Sequence, residues 1–198
     1  PASNLKLLTS GAALAVLGKD YEFKTTLLKD GDRLIVRGSG DPGFADPELL
    51  EKMGTSLNTL LDKWVEMAKG SLGDSGGIRE IVLDDRVFDR EFVHPAWPRE
   101  QLHLAYCAQA SGLNFHANVL NVYIEPARSQ PEAPWIVVKR ATRKVKQGST
   151  ELRLDREKDA PYTFKLSGTL RNNPDGPVQV TVNESCLMLG RLLADRVV

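Results

Sequence analysis

Apolar residues recur at helical spacing over residues 4–17, where Leu5, Leu8, Ala12 and Ala15 share one face and Gly18 supplies a C-terminal stop. The period then shifts to two. YEFKTTLL (21–28) and RLIVRGS (33–39) read as short strands joined by Lys29-Asp30-Gly31-Asp32, a hairpin signal. After the turn-rich GDPGFADPELL, Asp46 caps a helix that opens on Pro47 and runs to about Lys69. GSLGDSGG (70–77) is a glycine-rich loop, and IREIVLDD (78–85) a strand ending in a polar turn. Residues 87–110 show neither period and are expected to be irregular. Strand alternation returns in 118–126, 135–142, 151–157, 162–170 and 177–182, and ESCLMLGRLLADRVV restores the helical period. No repeat and no low-complexity tract interrupts this order. Helix, strands, helix, many strands, helix predicts an α+β chain dominated by antiparallel strands, not a βαβ array.

Composition narrows the function classes. The chain has 198 residues, 41% of them apolar and 26% charged, enough for one large domain or two small ones. Lys plus Arg equals Asp plus Glu at 26 each, so charge points to neither nucleic acid nor an anionic membrane. No run has the length of a transmembrane helix, and no basic-then-apolar leader is present. Cys107 and Cys186 are far apart, outside any Cys-x-x-Cys, and could pair or both be free.

The most chemically loaded tetrapeptide is Ser3-x-x-Lys6 at the mouth of the first helix. A serine hydroxyl needs a base within hydrogen-bond reach and a stabilised oxyanion before it acts as a nucleophile. Residues three apart share a helix face, so Lys6 can stand beside Ser3 at the positive end of the helix dipole. The same residues also read as an ordinary helix cap and a solvated lysine, and about one Ser-x-x-Lys arises by chance in a chain of this length. Other constellations are weaker. His94, His103, His116 and Cys107 lack the paired spacing of a zinc site, so no metal or cofactor is expected. Asp84-Asp85 reads as a solvated or turn-capping pair ending a strand. Gly38–Gly43 lacks the Lys-Ser/Thr of a phosphate loop and reads as a tight turn. Trp64, Trp97 and Trp135 are scattered and read as core anchors.

Five segments, in order, resemble D-alanyl-D-alanine carboxypeptidases of the penicillin-binding protein 4 type, peptidase family S13. They are PASNLKLLTSGAALAVLGKDYEFKTTL, LIVRGSGDPGF, IREIVLDDRVFDREFVHPAWP, GLNFHANVLNVYIEP and TFKLSGTLRNNPDGPVQVTVNESCLMLGRLLADRV. The resemblance implies that Ser3 is the acylated nucleophile and Lys6 its base partner. It implies a start of the transpeptidase-like core over 1–28, β-rich inserted domains over 29–182, and a closing helix over 183–198. It further implies peptidoglycan stem peptides as substrate, β-lactams as acylating inhibitors, and a location outside the cytoplasm, periplasmic where there is a periplasm.

The family's second and third motifs, Ser-x-Asn and Lys-Thr/Ser-Gly, should lie downstream of the inserted domains. The one Ser-x-Asn present, Ser56-Leu57-Asn58, falls within the expected 47–69 helix and reads as surface or packing residues. Lys24-Thr25-Thr26 lacks the glycine that admits a substrate strand. The sequence is therefore expected to be a catalytically silent fragment beginning at the first motif, which would account for the missing leader. A different reading makes it a non-catalytic module, or a degenerate relative, that binds or orients cell-wall material.

Overall fold

The computed structural model describes residues 2–70 and 77–197; residues 71–76 of the expected glycine-rich loop lie outside them. Helix α1 (Leu5–Leu17) follows a 3-10 turn at Ala2–Asn4 and ends at Gly18, whose N–H bonds to Leu14 O. β1 (Thr26–Asp30) and β2 (Arg33–Arg37) form a hairpin as expected but with shifted bounds: residues 21–25 are outside the strand, and Lys29 and Asp30 pair with Leu34 and Arg33, so only Gly31-Asp32 are left to make the turn.

The expected 47–69 helix is two helices, α2 (Pro47–Lys52) and α3 (Leu57–Gly70). Asp46 caps α2 as anticipated, its Oδ1 accepting from Glu48 N and Leu49 N. The break is at Gly54, which adopts φ +63°, a left-handed conformation that ends a helix at little cost in glycine. Ser56 restarts the chain as a helix cap by accepting from Thr59 N.

β3 (Glu80–Asp84) pairs with β2 in parallel, so β2, the two helices and β3 make one βαβ unit that the element order alone did not suggest. The second sheet has the order β5-β4-β9, from β4 (Val119–Tyr123), β5 (Arg128–Gln130) and β9 (Val178–Thr181). The third has the order β6-β8-β7, from β6 (Val137–Lys144), β7 (Glu151–Glu157) and β8 (Ala160–Leu170). Among the described residues, four of the six strand pairings are antiparallel, and only β2–β3 and β6–β8 are parallel. The architecture is α+β, as the sequence predicts.

α4 (Ser185–Val197) inserts Met188, Leu189, Leu192 and Leu193 into the core and packs against α3 and β3. A Cβ on Gly190 would lie 2.7 Å from Leu83 Cδ1, so the absence of a side chain lets the helix settle on the strand. Leu34 and Val36 of β2, Leu61 and Val65 of α3, and Leu120 and Val122 of β4 complete the centre of that core. α1 is outside it. Every residue from Ser3 to Asp20 is exposed, including Leu7, Leu8 and Val16.

Candidate active site

Ser3 lies in the 3-10 turn and Lys6 in the first turn of α1, so the two share one side of a continuous helical segment. Asn4, rather than Ser3, occupies the cap position, and no side chain caps the helix. Both side chains are exposed, and neither has a hydrogen-bond or ion-pair partner among the described residues. The geometry presents a hydroxyl and an ammonium on one face of an uncovered helix. A base contact and an oxyanion hole would have to come from groups brought to that face.

The remaining candidates are structural. Asp84 is buried and not solvated. It receives Arg37 Nε at 2.8 Å, Arg86 Nε at 2.8 Å and Arg86 Nη2 at 3.1 Å. The Arg86 guanidinium, aided by Arg37, holds its carboxyl well below the usual carboxylate range. Parallel pairing of β2 with β3 sets Arg37 beside Asp84, which accounts for the departure from a solvated pair. Part of the expectation stands, since Asp84 Oδ1 also accepts from Arg86 N at 3.4 Å as a turn cap. Asp85, also buried, pairs with Arg90 at 3.3 Å.

Gly38–Gly43 is a packing turn. Gly38 N donates to Asp84 O and Gly40 N to Gly112 O. A Cβ on Gly38 would stand 2.2 Å from Gly112 O, and one on Gly112 2.2 Å from Asp85 O, so these backbones touch where no side chain fits. Ser56 and Asn58 tie α3 to its surroundings, Asn58 Oδ1 accepting from Arg196 Nη2 at 2.6 Å. Lys24 precedes β1 and is not part of a strand. Trp64 stacks on Phe44 at 4.9 Å, and Trp135 meets Tyr162 at 4.6 Å and donates to Asp195 Oδ2. Trp97 is half-buried beside the turn at His94 and is not among the core residues. Cys107 and Cys186 are buried free thiols, and burial raises Cys186 to about 11. His94 Nδ1 accepts from Ala96 N within its turn, whereas His116 lies in the interior.

The sequence reading missed a buried polar hub. Asn118 Oδ1 accepts from Phe115 N at 2.9 Å and from Ser185 Oγ, while its Nδ2 donates to Gln109 O and Asn114 Oδ1. Asn114 Nδ2 reaches Gly40 O and Asp41 O. Two asparagines thus join the start of α4, the 38–43 turn and the 114–118 turn. Their spacing in GLNFHAN is the signal that could have revealed the hub. His116, Ala117 and Asn118 all have φ between 53° and 56°, a strained run that these bonds hold.

Comparison with known proteins supplies the frame for these observations. A D-alanyl-D-alanine carboxypeptidase of Actinomadura sp. (strain R39) is 34% identical over 142 residues, spanning 64% of this chain and 24% of that protein. The crystal structure of penicillin binding protein 4 (dacB) from Haemophilus influenzae superposes with a TM-score of 0.59 at 18% identity, over 99% of this chain and 45% of that one. The same protein complexed with a β-lactam gives 0.52 at 18% identity, over 98% and 42%. The chain therefore spans about a quarter of the curated relative and less than half of either solved structure. The family described as D-Ala-D-Ala carboxypeptidase 3 (S13) matches residues 1–197, and the chain belongs to it.

Proposed function

We propose that this chain carries the nucleophile end of a serine-type D-Ala-D-Ala carboxypeptidase or endopeptidase, a hydrolase of peptidoglycan stem peptides. The observation that carries the reading is a family match beginning at residue 1, with Ser3-x-x-Lys6 at the mouth of α1. Ser3 Oγ attacks the carbonyl of the terminal D-Ala-D-Ala bond while Lys6, as the amine, takes the hydroxyl proton. The tetrahedral intermediate collapses as Lys6 passes that proton to the departing nitrogen, so D-alanine leaves as a neutral amine and an acyl-serine ester remains. Water then attacks the ester, Lys6 taking one of its protons and delivering it to Ser3 Oγ as the shortened peptide is released. β-Lactams acylate the same oxygen, and the substrate's location places the working enzyme outside the cytoplasm.

The proposed division is a core start at 1–28, an insertion at 29–182 and a closing helix at 183–198. In its favour, α1 buries none of its residues, while the later elements share one core. Residue 28 lies inside β1, so that strand spans the seam. Ser56-Leu57-Asn58 caps and anchors α3, which leaves Ser-x-Asn and Lys-Thr-Gly to be supplied from outside these 198 residues.

The test uses the complete reading frame, incubated with a fluorescent penicillin and analysed by peptide mass. Expected is one adduct on Ser3, abolished by Ser3→Ala and cut by about 10²–10⁴ in rate by Lys6→Ala. An adduct on another serine, or none with a correctly folded product, overturns the assignment.

A further inference from the structure

A second site stands away from Ser3 and Lys6. A groove of about 610 Å³ runs between the face of the β5-β4-β9 sheet and the α2–α3 connection, within the usual size of small-ligand clefts. Its floor is a row of amides set by strand register, since Asn121 pairs with Gln130 on one side and with Gln179 on the other. Asn121 is only 4% exposed.

Internal hydrogen bonds fix what the row displays. Gln179 Nε2 donates to Asn121 Oδ1 at 2.9 Å, which among the described residues leaves Asn121 Nδ2 as an unused donor and Gln179 Oε1 as an unused acceptor. Tyr123 Oη donates to Gln130 Oε1 at 3.3 Å, leaving Gln130 Nε2 as a second unused donor. Arg128 covers a face of the Tyr123 ring at 3.6 Å, so recognition falls to the amides rather than to ring stacking.

The opposite wall carries Glu48 and Glu51, exposed carboxylates with no ion-pair partner among the described residues. With Asp46 they outnumber the one cation, Arg128, which disfavours an anionic ligand. Peptides that bind by strand addition use main-chain groups at a sheet edge, whereas this groove lies over a sheet face and offers side chains. Fixed amide donors and acceptors facing carboxylates match a ligand whose hydroxyl and acetamido groups both donate and accept.

We propose that this groove binds an uncharged glycan chain of N-acetylated hexosamines across the Gln130–Asn121–Gln179 row. The proposal rests on the cell-wall reading above and gives the chain a hold on the polymer separate from the acylation site. Its test is titration of the ¹⁵N-labelled 198-residue chain with a neutral N-acetylglucosamine trimer. In parallel, a D-Ala-D-Ala-terminated pentapeptide is titrated. Expected are saturable shifts of the Asn121, Gln130 and Gln179 side-chain amides with the trimer and none with the peptide. Gln130→Ala and Gln179→Ala, neither in the buried core, each weaken binding about five- to tenfold with an otherwise unchanged spectrum.

No saturable shift, shifts unaltered by both substitutions, or shifts caused by the pentapeptide instead would overturn the glycan site. Penicillin labelling of Ser3 in the complete reading frame reads the enzymatic proposal independently. Labelling without trimer binding removes only the groove, and trimer binding without labelling removes only the enzyme.

Discussion

At the scale of single residues, buried polar groups decide more than the exposed motif does. His116 Nδ1 lies 3.1 Å from Val119 O and must carry the hydrogen that the carbonyl accepts. Its Nε2 is buried without a partner among the described residues, so a second proton there would be a charge with nothing to bond. Burial accordingly pushes the imidazole below its ordinary 6.5, the opposing pull of the Val119 carbonyl and Asp46 being smaller. A depressed histidine means that the unfolded chain takes the proton first. Stability is then full above the unfolded value and declines as pH falls from it toward the folded value. Urea melts at about pH 7.5 and about pH 5.5 should show this loss, bounded by about 1.4 kcal/mol per pH unit for one proton. In His116→Gln, which keeps a donor without a titrating ring, the loss should shrink. An unchanged pH dependence in that variant would assign the effect to other groups.

At the scale of elements, α1 is the anomaly. Thirteen residues are at the margin of what an isolated helix sustains in water, and this helix buries none of them. Its amides should exchange with solvent nearly unprotected in the 198-residue chain, while those of α4, with seven buried residues, are held. Equal protection in a hydrogen-exchange experiment would mean that α1 has a partner. Much of this level was legible in the sequence. Strand β7 has the bounds that its alternation gives, and Asp46-Pro47 marks a helix start by cap chemistry alone. Other features had no local signal. Apolar spacing runs through Leu49, Leu50, Met53, Leu57 and Leu61, so the pattern bridges Gly54, where backbone conformation breaks the helix. β5 has three residues, too few to show a period. Parallel pairing of β2 with β3 is a choice of sheet edge, which periodicity does not encode. The candidate sites divide in the same way: Ser3-x-x-Lys6 is contiguous and readable, whereas Gln130, Asn121 and Gln179 become neighbours only through strand register.

At the scale of the whole molecule, a nucleophile is distinguished from a catalyst. A positioned base contributes about two to four decades of rate, and losing one oxyanion donor costs about two to three. Among the described residues Ser3 has no bonded base, and no Ser-x-Asn or Lys-Thr-Gly stands on its helix face, so several such contributions are absent from them together. Effective molarity is missing too, because an exposed helix offers no cleft to align a substrate carbonyl with Ser3 Oγ. The 198-residue chain on its own is therefore expected to be silent toward a fluorescent penicillin, even with Ser3 and Lys6 intact and the later elements folded. Mass analysis after prolonged incubation should find unmodified protein, while the complete reading frame under the same conditions is acylated. Stoichiometric labelling of the 198 residues alone, abolished by Ser3→Ala, would show that the helix mouth is sufficient and that the missing motifs are not needed for acylation.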